Sequence, residues 1–326
     1  MKKNVIFLAF IVMGLCGLGT VHAQEKTQMK LRLNQGDEYM IKQTMEQEMT
    51  QQLMGEKMEM SQNSVMESSI KVISVDQEGN MTLKTVLDSV KTKIESLGNV
   101  IEYDSKNPPE NPDPMLEGFE GLVGKEYTMV ISPKGKVLEL KGLEDALSGM
   151  FDENNPDQAA SDAGTDQFNE MFGDEGMKQI MENIYSPFPA EPVGVGDKWE
   201  TTAKLPNPMM ALVMNNVATL TDRSNGLVTI EMDSTISTDE EGSSKAFGAM
   251  NMSSKITSGQ QHAVSQFDEN SGWLVRSDVT QEISMEMKLD MPADQAPEDM
   301  PEEYQNMSIP MTMKSKATIE SHKLNK

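Results

Sequence analysis

The chain is poor in cysteine, in basic residues and in aromatic residues, and the first two shortages each exclude a class of function. One cysteine among 326 residues cannot form an internal disulfide or a thiolate metal cluster. The 28 Lys and Arg residues face 52 Asp and Glu residues, so the formal net charge is −24. A surplus of negative charge repels nucleic-acid phosphate, and no basic stripe offsets it, so nucleic-acid binding is not expected.

Long apolar runs are also scarce, apart from one at the N-terminus. Lys2 and Lys3 precede the apolar residues 5–18, and Ala23 ends a small-residue cleavage site, which is the pattern of a secretory signal. We expect removal of residues 1–23 and a periplasmic or secreted protein with no membrane-spanning segment, because the run is short for a spanning helix. Lipoprotein anchoring at Cys16 is not expected, because the preceding residue is Leu15 rather than a small one.

The mature chain is still more acidic than the precursor. The signal contains two lysines and no acid, so 26 basic residues remain against 52 acidic ones, a net charge of −26. These charges are spread over loops and over alternating positions of predicted strands. Such a distribution indicates solubility outside the cytoplasm, and the same charge repels anionic lipid headgroups.

A short motif occurs twice and divides the chain. Gly36, Asp37 and Tyr39 near the mature N-terminus are repeated as Gly196, Asp197 and Trp199. The repeat predicts two similar units, residues 24–141 and 194–326, separated by a connector over 142–193. The two aromatic residues are either ligand contacts or anchors of the first strand of each unit after a tight glycine turn.

The apolar pattern of both units has a period of two, which is typical of strands. Val228, Ile230 and Met232 alternate with polar residues, and one face of 279–291 is apolar throughout. Thirteen residues at about 3.3 Å each span roughly 43 Å, a length typical of a sheet that curls. The predicted fold is mainly β, with two tandem curved antiparallel sheets, each resembling a half-barrel, and a helical connector.

Turns and loops punctuate this pattern. Residues 76–80, 132–135 and 268–272 have the composition of hairpin turns, and the proline-rich acidic stretches 106–114 and 292–303 predict surface loops. In the connector, Met177, Ile180, Met181 and Ile184 have the spacing of an amphipathic helix. Such a helix either covers a sheet face or acts as a lid over a ligand, and the sequence does not separate these.

The second motif lies within a longer run that resembles a known family. Pro189, Pro192, Val193, Val195, Gly196, Asp197 and Trp199 reproduce the signature of an uncharacterised secreted bacterial family of the Bacteroidota type, the domain of unknown function numbered 6263. The family offers no activity or site residues to transfer. By layout alone, long curved strands with helices against a concave face are similar to the half-barrels of the LolA and LppX lipoprotein carriers.

Methionine is over-represented, with 30 residues in all. Pairs spaced Met-x-Met place both thioethers on one strand face about 7 Å apart, and soft thioethers suit Cu(I). The same positions are in phase with Leu, Ile and Val, which indicates core packing. An intermediate interpretation is that the methionines form a concave face, which reshapes around apolar molecules. On that interpretation the candidate ligand-binding residues are Met58, Met60, Met232, Met285, Met287, Met311 and Met313.

No catalytic constellation, cofactor motif or metal-ligating set is recognisable. The carboxylates are too many to nominate a catalytic pair, and His262 and His322 lie in predicted strands without a neighbouring Glu or Cys motif. Residues 268–272 resemble the start of a calcium loop but lack its later ligands, so a hairpin turn explains them better. We therefore expect no catalytic residues, no cofactor and no enzymatic activity.

Three functions remain. The leading hypothesis is a periplasmic binding or carrier protein that holds a lipid or other apolar ligand on the methionine-rich face. The alternative is a structural or protein-interaction module of the cell envelope that meets a protein partner. The third is Cu(I) buffering by methionine. A ligand-sized cavity separates the first from the second, because a closed sandwich has none.

Overall fold

The fold is that of one large antiparallel sheet. A computed structural model describes residues 26–53, 55–110, 121–143, 177–178, 181–182, 188–205, 212–239, 244–247, 250–290 and 306–324. Across these residues the chain forms thirteen strands. The strands are β1 Glu38–Leu53, β2 Glu56–Val75, β3 Met81–Ser96, β4 Asn99–Asp104, β5 Glu126–Ile131, β6 Val137–Lys141, β7 Lys198–Leu205, β8 Leu212–Ser224, β9 Leu227–Thr238, β10 Ser244–Phe247, β11 Met250–Asp268, β12 Leu274–Asp290 and β13 Asn306–Lys323.

The strand order is a meander that begins in the middle of the chain. From edge to edge it runs β6-β5-β3-β2-β1-β13-β12-β11-β9-β8-β7, with β4 added to β3 and β10 added to β11. The first and last strands are therefore neighbours at the centre, where Tyr39 lies opposite Lys323 and Gln51 opposite Met311. The two edges, β6 and β7, run parallel to each other because ten antiparallel pairings separate them.

The repeated motif starts β1 and β7 in the same way. Gly36 and Gly196 have φ values of 88° and 89°, a region that glycine enters without steric cost. Each glycine N–H donates to the far end of the next strand, at 2.8 Å to Val72 O and at 2.7 Å to Leu220 O. We call this end of the sheet the motif end, and the face that carries Tyr39 and Trp199 the inner face.

The segment 26–34 shows that the sheet is curled at the motif end. Thr27 pairs with Val193 near the start of β7, and the Leu31 N–H donates to Pro133 O in the β5–β6 turn at 2.8 Å. Four residues span at most about 14 Å, whereas eleven flat strands would be about 48 Å wide. The two edges of the sheet therefore approach each other here, around the inner face.

Two of the three apolar core clusters lie on the inner face at the motif end; the third, which consists of Met214, Ile236, Ile256 and Ile283, lies further along the strands. Met29, Leu31 and Leu33 of the N-terminal segment are at most 7 % exposed and pack into two adjoining clusters. The larger cluster joins the two halves of the sheet, because Trp273 after the β11–β12 turn stacks on Tyr39 at 4.6 Å between ring centroids. Phe188 contacts both clusters, so the floor of the curled sheet is continuous.

The predicted class is confirmed, and its subdivision is corrected. The protein is mainly β and antiparallel, but both predicted units share one sheet, because β1 and β13 pair along thirteen residues. Sequence periodicity does not reveal which strands at opposite ends of a chain will pair. The unit boundaries themselves, 24–141 and 194–326, stay a prediction. Most of the predicted helical connector lies outside the described residues, although 177–178 and 181–182 have helical backbone.

The turn predictions can also be compared with the structure. Asp76 accepts N–H bonds from Glu78 and Asn80 in the β2–β3 turn, and Ser132–Gly135 and Asp268–Gly272 close hairpins as expected. Among the described strands, six register shifts of the kind that β-bulges produce interrupt the ladders, including those at Glu67/Ser68 and Ile256/Ser258. Bulges increase local twist and bend the strand, which favours curling. The signal 1–23 and the loop 292–303 lie outside the described residues.

Candidate functional site

A cavity of about 1110 Å³ lies on the inner face beside β7, β8 and β9. The sheet forms one wall with Trp199, Met214 and Met232, and the irregular segment 188–193 forms another. Phe188 in that segment packs edge-on against Phe267 at 5.2 Å between ring centroids. Alternation along the strands points Trp199, Met214 and Met232 to one side, so the cavity wall follows directly from the period of two.

The two copies of the motif place their aromatic residues differently. Tyr39 is 4 % exposed and stacks on Trp273, as expected for an anchor of the first strand. Trp199 is only half-buried, packs against the second core cluster and lines the cavity. The same motif position therefore serves the core in the first half of the sheet and the cavity in the second.

The aspartates of the motif fix the turns that start β1 and β7. Asp37 Oδ2 accepts the Asn34 N–H at 3.0 Å, and Asp197 Oδ2 accepts the Gly194 N–H at 3.0 Å. Burial acts to raise the pKa of Asp37, but hydrogen bonds from Lys323 and Asn34 outweigh it and hold the pKa below its usual value. The Gly194 N–H, together with Lys26, lowers the pKa of Asp197. Burial, with the neighbouring Asp37 carboxylate, raises the pKa of Tyr39.

The predicted methionine site is divided in two. Met232 lies in the cavity wall. The other six predicted methionines lie on the same face but nearer the other end of the long strands, on β2, β12 and β13. There they adjoin Met49, which lies directly opposite both Met60 and Met313. We call Met49, Met58, Met60, Met285, Met287, Met311 and Met313 the methionine band. Its described side chains are half-buried.

A row of uncharged polar residues crosses the inner face between the two core clusters of the motif end and the methionine band. Eight adjacent strands each contribute one residue, and each lies directly opposite the next. We call it the polar row; it consists of Gln62, Gln47, Ser315, Gln281, Gln261, Ser234, Asn216 and Thr201. Two hydrogen bonds run along it, from Gln281 Nε2 to Gln261 Oε1 at 3.2 Å and from Asn216 Nδ2 to Thr201 Oγ1 at 3.1 Å.

Sequence reasoning missed the polar row because it depends on register. Along β1, Gln43, Gln47 and Gln51 lie on the same face as Met45 and Met49 and alternate with them. This alternation of glutamine and methionine on one face is visible in the sequence of a single strand. The alignment of eight such residues requires the pairing of strands distant in sequence.

The opposite face carries a different kind of depression. Its volume is about 760 Å³, and Glu46, Glu48, Asp233, His262 and Lys314 are among the residues that line it. His262 Nδ1 lies 2.8 Å from Asp233 Oδ1, and both side chains are at least half exposed. Charges of both signs alternate there, as on an ordinary solvated sheet face, so the arrangement nominates no chemistry.

Within the described ranges, no group of three or more His, Cys, Asp or Glu side chains is placed to hold a metal ion. Met60, Met49 and Met313 lie side by side on adjacent strands, and thioethers are ligands that soft cations prefer.

The sequence was compared with known families and curated proteins. Residues 78–274, more than half of the chain, match a family of unknown function, DUF6263. The chain belongs to this family. The resemblance of residues 189–199 to its signature is therefore confirmed, and residues 189–193 and 197–199 of that run line the cavity in this DUF6263 protein. The comparison with curated proteins found no match.

Several solved structures match this chain at very low identity and with TM-scores below 0.5. Lipovitellin, from a study of its lipid–protein interactions, matches over 90 % of this chain with a TM-score of 0.47 and 9 % identity, and this DUF6263 chain spans 26 % of lipovitellin. The translocator domain of the autotransporter NalP from Neisseria meningitidis matches over 89 % of this chain and 90 % of its own, with a TM-score of 0.21 and 7 % identity. OccK7 of Pseudomonas aeruginosa matches over 89 % of this chain and all of its own, with a TM-score of 0.19 and 5 % identity.

In the part of the chain that the structure describes, no helix has the length and apolar character to cross a bilayer.

Proposed function

We propose that this DUF6263 protein binds a lipid or another apolar ligand in the inner-face cavity and acts as a carrier or sensor without catalysis. The cavity of about 1110 Å³ carries this proposal, because small-molecule sites are concave, mostly apolar and few per protein. A packed structural module, the alternative, has no reason to keep a space of this size. The proposal includes export to the periplasm by residues 1–23 and an envelope protein as a possible exchange partner.

The chemistry of the wall supports an apolar ligand. Met214 and Met232 are unbranched and polarisable, so they adapt to ligands of different shape. Trp199 offers a large apolar surface that the rest of the protein covers only by half. Val193 and Ala218 of the lining belong to the second core cluster, in which Met29 of segment 26–34 is also buried. A ligand therefore has an apolar base and an adaptable side wall.

The experiment uses the two tryptophans as reporters. Bromine quenches tryptophan fluorescence at contact, so a lipid with a dibrominated stearoyl chain should quench Trp199 in the cavity but not Trp273 in the core. We expect saturable quenching in the wild type and in Trp273→Phe, and almost none in Trp199→Phe. Circular dichroism verifies that both variants keep the sheet.

The probes are a monoacylglycerol, a methyl ester and a free carboxylate with the same brominated chain, each kept below its aggregation concentration. If none of the three probes quenches Trp199 saturably, the carrier proposal is contradicted and the protein-interaction module is favoured. Equal quenching of Trp199 and Trp273 would place the ligand outside the cavity.

Cu(I) buffering is a second candidate, favoured by one observation. Met49 lies directly opposite Met60 and Met313, so three thioethers share one row of the methionine band. An anaerobic titration with Cu(I) should then show one site per chain that Met49→Leu weakens at least tenfold. Affinity no greater than that of free methionine would eliminate this candidate.

A further inference from the structure

We infer that the polar row selects an amphipathic ligand whose polar group is uncharged and donates hydrogen bonds, such as the hydroxyls of an acylglycerol. This inference rests on the proposed function and specifies its ligand class. It concerns the part of the polar row at the cavity. Asn216, Gln261 and Thr201 line the cavity, and Ser234 lies directly opposite both Asn216 and Gln261.

The first observation is a pair of unsatisfied polar atoms. Asn216 is 9 % exposed and Ser234 is 5 % exposed, yet Asn216 Oδ1 and Ser234 Oγ have no hydrogen-bond partner among the described residues. The two residues lie directly opposite each other on β8 and β9, and Asn216 belongs to the cavity wall. Buried polar atoms are nearly always satisfied, so two adjacent exceptions indicate a missing partner.

The second observation defines the chemistry of that partner. Asn216 Nδ2 already donates to Thr201 Oγ1 at 3.1 Å, so the unsatisfied atom is the acceptor Oδ1. An acceptor needs a ligand hydroxyl or N–H, which an ester alone does not provide. The Ser234 hydroxyl either donates or accepts, so it complements a ligand group that does both, as a hydroxyl does.

The third observation concerns charge. Every member of the polar row is neutral, so no cation is present there to compensate an anionic headgroup. Around the cavity, Lys26 and Lys198 are outnumbered by four carboxylates, Glu182, Glu191, Asp197 and Glu200. An anionic group would therefore meet a net charge of −2 and a costly desolvation, which a hydroxyl avoids.

The fourth observation is the position of the polar row between two apolar rows. On the motif side Trp199, Ala218 and Met232 lie side by side across β7, β8 and β9. On the other side Met214 and Ile236 lie directly opposite each other. A ligand with its polar group at the row can thus place an apolar chain on either side. The flexible Met214 and Met232 let the wall open around the Asn216 amide as the ligand enters.

The test compares the three brominated ligands, which differ only in the headgroup. The monoacylglycerol should bind wild type about tenfold more tightly than the methyl ester, as one or two added hydrogen bonds imply, and the carboxylate at pH 8 should bind most weakly. Asn216→Leu and, separately, Ser234→Ala should abolish most of the preference for the monoacylglycerol while retaining binding of the methyl ester.

Asn215→Leu is the matched control. Asn215 adjoins Asn216 in the chain but points to the opposite face, where its Oδ1 accepts a hydrogen bond from Thr202 Oγ1 at 3.0 Å. It should leave the ligand ranking unchanged. Asn216→Leu should also leave the unfolding midpoint unchanged or raised, because it removes an unsatisfied buried atom, which a purely structural amide would not do.

Two results would overturn the inference, and they differ from failure of the carrier proposal. If all three ligands bind wild type equally well, the cavity binds apolar chains and the polar row does not select among them. If the ranking holds but survives both Asn216→Leu and Ser234→Ala, the selecting groups lie elsewhere. If none of the ligands binds, the proposed function itself fails.

Discussion

Gly272 is the residue at which the N-terminal segment comes closest to the sheet. Its φ is 68°, and a Cβ atom there would lie 2.3 Å from the carbonyl oxygen of Lys30. The next N–H bonds of the segment depend on this approach, since Arg32 N donates to Ser271 O at 2.7 Å. One glycine therefore permits the docking of 26–34, which buries Met29, Leu31 and Leu33 in the core clusters.

We predict that Gly272→Ala lowers the free energy of unfolding by roughly 3 kcal/mol, because backbone strain and a main-chain clash add. Gly226→Ala is the control: its φ is 75°, but no atom lies within 4 Å of a Cβ there. It should cost only about 1 kcal/mol from the left-handed conformation. Urea unfolding measures both, and hydrogen exchange at 27–33 should accelerate only in Gly272→Ala. Equal losses in the two variants would refute the close-packing argument.

Protonation of Asp37 makes the free energy of unfolding depend on pH in the acid range. Lys323 Nζ lies 2.7 Å from its carboxylate, which ties the last strand to the turn before the first. The pKa of Asp37 is lowered in the folded protein, so its contribution is complete above the unfolded value of about 3.9 and is lost as pH falls through the lower folded value.

Asp37→Asn should therefore cost about 2 kcal/mol at pH 7, because bonds to a charged acceptor are lost. Its free energy of unfolding should also fall less steeply than that of the wild type below about pH 4. Urea unfolding at a series of pH values checks both statements. Identical slopes for Asp37→Asn and the wild type would contradict the assignment.

At the scale of elements, two hairpins use the same turn with different residues. The β8–β9 turn is Asn225-Gly226, with φ values of 55° and 75°, and the β3–β4 turn is Leu97-Gly98, with 52° and 80°. Both are two-residue turns with positive φ at each position, a geometry that favours Asn-Gly. Leu97 is strained there and is also 66 % exposed.

Leu97→Asn should stabilise the protein by about 1 kcal/mol, because asparagine tolerates the left-handed conformation and leucine does not. The reciprocal change, Asn225→Leu, should destabilise it by a similar amount. Thermal and urea unfolding of the two variants give the comparison. A loss of stability in Leu97→Asn would mean that Leu97 makes contacts that its exposure does not reveal.

The strands and turns could be predicted from sequence because their signals are local. Val228, Ile230 and Met232 show their inward face by alternation alone, and the Gly36 and Gly196 turns are marked by the repeat. The unsatisfied pair Asn216 and Ser234 could not be predicted in the same way. Its significance depends on register and burial, which one strand does not specify.

At the scale of the molecule, the chain forms a meander that is cut between β6 and β7 rather than between its ends. The connector 142–193 follows the cut, and segment 26–34 crosses it through Thr27 and Leu31. The periodicity of the sequence suggested two sheets because it carries no information on the pairing of β1 with β13. Each half of the chain forms a meander, but the two meanders belong to one sheet.

This topology predicts that the protein unfolds as one cooperative unit. β1 and β13 pair along thirteen residues, and Trp273 from the second half of the chain belongs to a core cluster built mainly from the first half. Neither half can lose its structure without exposing apolar surface of the other, so separate transitions are disfavoured. Trp273 reports on the joint between the halves, whereas Trp199 reports on the edge strand β7.

Single-tryptophan variants test this directly. Urea unfolding of Trp199→Phe, followed by the fluorescence of Trp273, should give the same midpoint as the circular dichroism of that variant, and the same agreement should hold for Trp199 in Trp273→Phe. Two independent sheets would instead give a fluorescence midpoint that departs from the sheet signal in at least one variant. Because the cavity lies beside β7, β8 and β9, an early transition of Trp199 alone would show that the cavity wall opens before the rest of the sheet unfolds.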